Sequence, residues 1–188
     1  MQITIIRHLP TSWNKKGLLQ GRKDIEIAPI TQHVQLEMEK VKQQMLKRLP
    51  ENTFILTSTL KRTKQTAEAY GYEPISEPLL DELDFGMFEG KTKQLLIKKL
   101  GTKWIEDPRQ LVLGEPLIDF ENRIISFLNK YKTKSPLLVF GHGSWMRGLL
   151  SIYHYNSITN MNKFRINNND CITLDFTKRK WVQTEMEV

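Results

Sequence analysis

Cysteine is almost absent from this chain. Cys171 is the only one in 188 residues, so no disulfide can form within the chain. Its neighbours, Ile172-Thr-Leu-Asp-Phe176, read as a strand, which makes a buried, inert thiol the expected state. No phosphate-cradling loop follows it, which argues against a cysteine nucleophile. Long apolar runs are missing too: no stretch approaches the length of a membrane span, and the N-terminus has no signal-peptide pattern. A cytoplasmic protein with no membrane partner is therefore expected. There are no internal repeats and no low-complexity linkers, so residues 1–188 are expected to form a single domain, long enough for a sizeable core.

Acidic residues are outnumbered, 21 against 28 lysines and arginines, for a net charge of +7. A basic surface can bind nucleic acid. Here the lysines are spread over helical stretches, as at Lys40, Lys42 and Lys47, with no stripe interleaved with aromatics. The charge is better read as a solvated basic face that also attracts anionic substrates, with no nucleic acid as partner.

What the chain does contain is a repeated pattern at strand ends. Ile3-Thr-Ile-Ile6 is a short β-branched run that stops at Arg7-His8, and Pro10 forbids continued pairing. Thr11 and Ser12 are positioned to cap a following turn. Leu137-Leu-Val-Phe140 is followed by Gly141-His142-Gly143-Ser144 and a helical pattern from Trp145 to about Tyr155. Phe54-Ile-Leu56 leads into Thr57-Ser58-Thr59, with Arg62 in the next turn. If these strands are parallel, His8, Arg62 and His142 share the carboxyl edge of one sheet, where α/β folds bind ligands.

The rest alternates helix and strand. Helices are expected over about 31–48, 60–70, 92–100 and 115–134, a short edge strand within Tyr72–Ser76, and loops over 15–29 and 101–114. Arg165-Ile166, Ile172–Phe176 and Trp181-Val182 suggest terminal strands, the last two joined through residues 177–180 as a hairpin. This order implies an α/β fold, a three-layer α/β/α sandwich whose mostly parallel sheet has at least one antiparallel strand.

Residues 79–90 mix Asp81, Glu82 and Asp84 with apolar neighbours in an irregular loop. Any of the three is a candidate general acid if partly buried. Guanidinium groups bind phosphate oxygens in pairs, helix starts favour anions, imidazole attacks phosphorus, and a carboxylic acid protonates a leaving alkoxide. Together these describe phosphoryl transfer without a cofactor. Two histidines and a carboxylate also occur in metal sites. Arg7 beside His8, and Arg62 nearby, would repel a cation, so no metal is expected. Spacing alone leaves open which histidine is attacked.

The segment Arg7-His8-Leu-Pro-Thr11-Ser-Trp13-Asn14 resembles the Arg-His-Gly-Glu-Thr/Ser-x-Trp-Asn signature of the histidine phosphatase superfamily, in its phosphoglycerate-mutase-like branch. Gln20-Gly21, the segment Ser58 to Glu68 around Arg62, Leu80 to Gly90 around Glu82, Gly114-Glu115 with Arg123, and Phe140-Gly-His142-Gly143 with Arg147 resemble later family segments in the family's order. The resemblance implies His8 as nucleophile and Glu82 as proton donor. It implies Arg7, Arg62 and His142 as the phosphoryl holders, with Asn14 adding a donor, and places Gln20, Gly21 and Gly143 in the substrate site. Leu9-Pro10 stands where the family has Gly-Glu or Gly-Gln, Gly141 replaces a hydroxyl residue, Val34 a common Gly, and Pro116 a Ser.

The implied activity is phosphatase action on a small-molecule phosphate ester through phosphohistidine. The alternatives are mutase-type transfer and a non-catalytic phosphate- or nucleic-acid-binding module. Only nineteen residues separate Arg62 from Glu82, and family mutases look longer there. Substrate reading is expected from the loops over 15–29 and 87–115 and the turn after His142, which offer Lys15, Lys16, Arg22, Lys23, Lys91, Lys93 and Arg109 beside Trp13, Phe88, Trp104 and Trp145. α-Ribazole phosphatase, and sugar or nucleotide phosphatases, are among the activities the resemblance admits. Leu80, Leu83 and Phe85 are expected to desolvate Glu82, giving a bell-shaped pH profile with an acidic to neutral optimum. Oligomeric state is not legible.

Overall fold

In the computed structural model, residues 1–47 and 49–177 are described. The strands are β1 (Gln2–Arg7), β2 (Phe54–Thr57), β3 (Ile75–Ser76), β4 (Leu137–Gly141) and β5 (Cys171–Asp175). The helices are α1 (Ser12–Lys15), α2 (Gln32–Leu46), α3 (Lys61–Ala69), α4 (Lys93–Leu100), α5 (Lys103–Glu106), α6 (Leu117–Tyr131) and α7 (Gly143–Tyr155). The strands form one sheet in the order β3-β2-β4-β1-β5. Every neighbouring pair is parallel except β1–β5, the antiparallel member that the sequence anticipated.

The central strands are buried on both faces, and their side chains divide by parity. Ile3, Ile5, Leu137 and Val139 join Phe120, Ile124 and Phe127 of α6 and Trp145, Met146 and Leu149 of α7 in one core. Ile6, Leu138 and Phe140 join Met38 and Met45 of α2 and Ala67 of α3 in a second core on the opposite face. The result is the three-layer α/β/α sandwich. Among the described residues no helix is long and apolar enough to cross a membrane.

Three details differ from expectation. Arg165-Ile166 is not a strand: the Ile166 carbonyl accepts a bond from Arg7 Nη1 at 2.7 Å instead of from a neighbouring strand. The segment 72–76 pairs only at Ile75–Ser76, just after Pro74, which has no N–H to donate. Cys171 is half-buried rather than fully buried. Of the expected terminal hairpin, Trp181-Val182 and most of the connecting turn lie outside the described residues.

Register places the site. Arg7 is opposite Gly141 across β1–β4, and Thr57 is opposite Phe140 across β2–β4. The residues that follow, His8, Ser58 and His142, therefore emerge side by side at the carboxyl edge of the three central strands.

Candidate active site

The loop after β1 is fixed before it meets any ligand. The His8 N–H donates to Gly141 O at 2.9 Å, and the Leu9 N–H to Thr66 Oγ1 at 2.9 Å. Leu9 is buried and packs in the second core, which explains the departure at this position: here an apolar side chain anchors the loop to the α3 side of the sheet. Thr11 and Asn14 form a reciprocal cap on α1. Asn14 Oδ1 accepts from the Thr11 N–H, the Thr11 hydroxyl and Asn168 Nδ2, so the Asn14 amide N–H groups are the end left for a ligand.

The His8 ring is 2% exposed, and its Nδ1 is 2.7 Å from Leu9 O. A carbonyl only accepts, so Nδ1 carries the hydrogen and Nε2 keeps its lone pair. Burial, then the charges of Arg7 and Arg62, hold His8 well below its usual value of 6.5, outweighing the opposite pull of the Leu9 carbonyl. The ring is thus a neutral base with a free nitrogen.

His142 lies behind it, ring centroids 5.4 Å apart, and is fully buried. Its Nδ1 accepts from Arg62 Nε at 3.2 Å, so its Nε2 carries the hydrogen and donates to Ser58 Oγ at 2.7 Å. Ser58 supplies the orienting hydroxyl that Gly141 lacks. Burial and the charges of Arg62, His8, Arg7 and Arg123 hold His142 well below 6.5 as well. With both nitrogens engaged, His142 is not among the residues lining the cavity, and it reaches the site through Arg62.

The cavity has a volume of about 390 Å³. Of the residues singled out in the sequence, Arg7, His8, Asn14, Gln20, Gly21, Arg62, Glu82 and Gly143 line it. Arg62 is fully buried, and its Nη1 and Nη2 donate to Lys23 O and Gly21 O at 2.7 and 2.8 Å, pinning the 15–29 loop beside the strand ends. Burial pushes its guanidinium down to about 10. Burial also lowers Arg7, opposed by Glu82 and Asp170. At Gly143 an added Cβ would meet the Arg7 guanidinium at 3.2 Å, so any larger residue there would press that guanidinium aside by a few tenths of an ångström.

The three loop carboxylates separate cleanly. Asp81 accepts from the Thr59 N–H and hydroxyl and pairs with Arg22 at 3.0 Å. Asp84 Oδ1 accepts from the Gly86 N–H. Glu82 alone among them lines the cavity, and its sequence neighbours Leu80, Leu83 and Phe85 are buried. Its Oε1 accepts from the Leu83 and Trp145 N–H groups and its Oε2 from the Ser144 N–H at 3.0 Å, so it sits at the start of α7.

Sequence reasoning missed Asn168. Its Nδ2 donates to His8 O at 2.8 Å and to Asn14 Oδ1 at 3.3 Å, tying the loop before β5 to both site residues. The Asn167-Asn-Asn-Asp170 run marks a turn but carries nothing that points at His8. Several expected specificity residues have other employment: Trp145 is core, Arg22 pairs with Asp81, and Arg109 with Glu121. Lys93 and Trp104 do line the cavity, joined by Arg147, Phe164 and Arg165. Among the described residues no group of three or more His, Cys, Asp or Glu side chains could hold a metal ion.

Known proteins resemble this chain in sequence and in fold. The model of the histidine phosphatase superfamily (branch 1) matches residues 3–188. A putative phosphoserine phosphatase 2 of Hydrogenobacter thermophilus is 26% identical over 162 residues, 80% of this chain and 77% of that protein. A probable phosphoglycerate mutase of Proteus mirabilis is 28% identical over 197 residues, 97% of this chain and 88% of that one. Among solved structures, the protein of open reading frame Rv3214 from Mycobacterium tuberculosis superimposes with a TM-score of 0.80 at 19% identity, covering 94% and 92% of the two chains. The alpha-ribazole phosphatase from Shigella flexneri gives 0.73 at 21%, covering 95% and 92%. Both confirm the fold. A neutral imidazole with a free nitrogen among arginines at the strand edge, in a chain spanned almost end to end by one family model, has one consistent meaning: the protein belongs to the histidine phosphatase superfamily, branch 1, whose work is phosphoryl hydrolysis or transfer.

Proposed function

We propose that the protein is a metal-independent phosphatase that hydrolyses a small phosphomonoester through a phosphohistidine on His8. The observation that carries this reading is the free Nε2 of a His8 ring held neutral beside Arg7 and Arg62. Nε2 attacks phosphorus in line with the ester oxygen. Arg7, Arg62 and the Asn14 amide hold the phosphoryl oxygens as charge shifts to the leaving group. Glu82 gives its proton to the departing alkoxide. Water then attacks the phosphohistidine, Glu82 takes the water's proton, and the P–N bond breaks to release phosphate and neutral His8. His142 positions Arg62 and keeps that guanidinium turned toward His8. The short interval between Arg62 and Glu82 favours water over a second substrate as acceptor.

p-Nitrophenyl phosphate hydrolysis tests the reading. His8→Ala is expected to lose turnover by about a thousandfold or more, and a chelator to leave the wild-type rate unchanged. Full activity in His8→Ala, or its abolition by chelator, refutes the mechanism. Efficient isomerisation of 3-phosphoglycerate stimulated by 2,3-bisphosphoglycerate would replace phosphatase by mutase.

A further inference from the structure

One buried carboxylate takes no part in the phosphoryl chemistry. Asp81 is 5% exposed and lies outside the cavity, yet it stands next to Glu82 in the chain. A buried carboxylate is costly unless donors meet both of its oxygens. Here they do. Oδ1 accepts from the Thr59 N–H at 2.8 Å and the Thr59 hydroxyl at 2.9 Å. Oδ2 faces the same hydroxyl and Arg22 Nη1, each at 3.0 Å.

These donors come from two other segments of the site. Thr59 follows Ser58, which accepts from His142, and precedes Leu60, the cap of α3, whose first turn carries Arg62. Arg22 follows Gly21, whose carbonyl accepts from Arg62, and the Arg22 N–H donates to Glu89 Oε1 at 2.7 Å. Asp81 therefore joins the loop of the acid to the turn before Arg62 and to the 15–29 loop. Its backbone is held as well. The Asp81 N–H donates to Pro78 O at 3.1 Å, and Arg123 Nη1 donates to the Asp81 carbonyl. Residues 81–85 belong to no helix or strand, so no regular ladder fixes Glu82 in place. Glu77 and Glu121 are equally buried but brace α6 instead, Glu77 against Lys130 and Tyr131, Glu121 against Arg109 and the Ile158 N–H.

We propose that Asp81 is a positioning residue for the proton transfer: by bonding Thr59 and Arg22 it fixes Glu82 relative to the phosphoryl group that Arg62 holds. This rests on the phosphatase reading, with Glu82 as the acid, and adds to it a residue that touches no substrate. A proton moves efficiently only along a short, aligned hydrogen bond. A small drift of Glu82 thus penalises leaving groups that need the proton and spares those that do not.

Phenyl phosphate and p-nitrophenyl phosphate test this. They are close in shape, but phenolate is the stronger base and depends more on the proton. Asp81→Ala is expected to lower kcat for phenyl phosphate about tenfold and for p-nitrophenyl phosphate by less than about threefold, with KM little changed. Arg22→Met, at an exposed position, is expected to shift the ratio of the two esters the same way by a smaller factor, and carries the same test should Asp81→Ala not fold. Arg22→Lys, which keeps a cation for Asp81, is expected to restore the ratio. In a Glu82→Gln background Asp81→Ala is expected to add less than about a twofold loss on phenyl phosphate, because the group it positions is gone. Glu77→Gln, which disturbs an equally buried carboxylate, is expected to lower the urea midpoint and leave the ratio alone. Three results overturn the positioning role and leave the phosphatase standing: equal or no loss on the two esters, the full loss persisting in the Glu82→Gln background, or a ratio that shifts as much in Glu77→Gln. Equal slowing of both esters by Glu82→Gln alone removes the acid and the role of Asp81 with it. Failure of the wild type to hydrolyse either ester overturns the phosphatase reading itself.

Discussion

Lowering the pH should destabilise this protein through its two site histidines, and by an amount that follows from their burial. His8 and His142 are both held well below 6.5 in the folded chain, by burial first and by neighbouring cations second. In the unfolded chain each takes a proton near pH 6.5. Below that pH the unfolded state binds more protons than the folded state, so stability falls as pH falls. The loss begins near 6.5 and continues until the folded rings themselves protonate. From pH 7.5 to 5.5 each histidine should cost about 1.4 kcal/mol, and the pair about 2.7 kcal/mol, a large part of a stability on the order of 5–15 kcal/mol.

Urea unfolding followed by tryptophan fluorescence at pH 7.5 and 5.5 measures this. The buffer must exclude phosphate and sulfate, because an anion bound at the site would stabilise the folded state by itself. Carboxylate contributions cancel in the comparison with His8→Asn and His142→Asn, each of which should lose about 1.4 kcal/mol less than the wild type over that interval. Asparagine variants with the same pH dependence as the wild type would show that the rings are charged or solvated in the folded protein. The neutral-imidazole argument for His8 would then collapse. The same direction of shift puts the acid limb of kcat/KM below pH 6.5.

Three further outcomes are expected. Glu82→Gln should slow alkyl phosphate hydrolysis by about a hundredfold but p-nitrophenyl phosphate much less, because that leaving group needs little protonation; equal slowing of both would remove Glu82 as the acid. Asn168→Ala should lower kcat about tenfold with stability down by only about 1–2 kcal/mol, because it frees His8 O and Asn14 Oδ1 together; unchanged kcat would deny it a positioning role. Gly86→Ala should cost about 2–4 kcal/mol in urea unfolding, since Gly86 has φ +54° and an added Cβ would lie 2.9 Å from Gly114 backbone atoms; a loss under about 0.5 kcal/mol would mean the 84–86 turn relaxes freely.

What the sequence revealed and what it hid divide along range of interaction. β1, β2 and β4 were legible because a buried parallel strand needs a continuous apolar run, and each run ends at the residue that enters the site. The motif residues followed from their places after those runs. The choice among Asp81, Glu82 and Asp84 was not legible from composition. It depends on the Ser144 and Trp145 N–H groups, more than sixty residues away, and on Thr59 and Arg22 engaging Asp81. Leu9 looked like a departure from a family pattern until its packing in the second core was visible. Arg165-Ile166 was misread because an extended, apolar-flanked pair looks the same whether its carbonyl meets a strand or the guanidinium of Arg7. Asn168 was invisible for the same reason: an asparagine in a turn reads only as a turn residue.

How the site holds its cations explains why it can serve a dianion. Outside the cavity, arginines are fixed by carboxylates: Arg22 by Asp81, Arg109 by Glu121, Arg123 by Glu115. Inside, they are fixed by neutral acceptors. Arg7 donates to Ile166 O, Arg62 to Gly21 O, Lys23 O and His142 Nδ1, and Arg147 to Ser144 Oγ. A carboxylate partner would have steadied these side chains more strongly and cancelled the charge that a phosphoryl group needs. Carbonyls, a ring nitrogen and a hydroxyl orient the guanidinium groups and leave their charge intact. Glu82 is kept by the same logic: it is held by backbone N–H groups rather than by an arginine, and its Oε2 takes only one of them. Geometry is thus fixed by neutral partners, while every charged group remains available to the substrate.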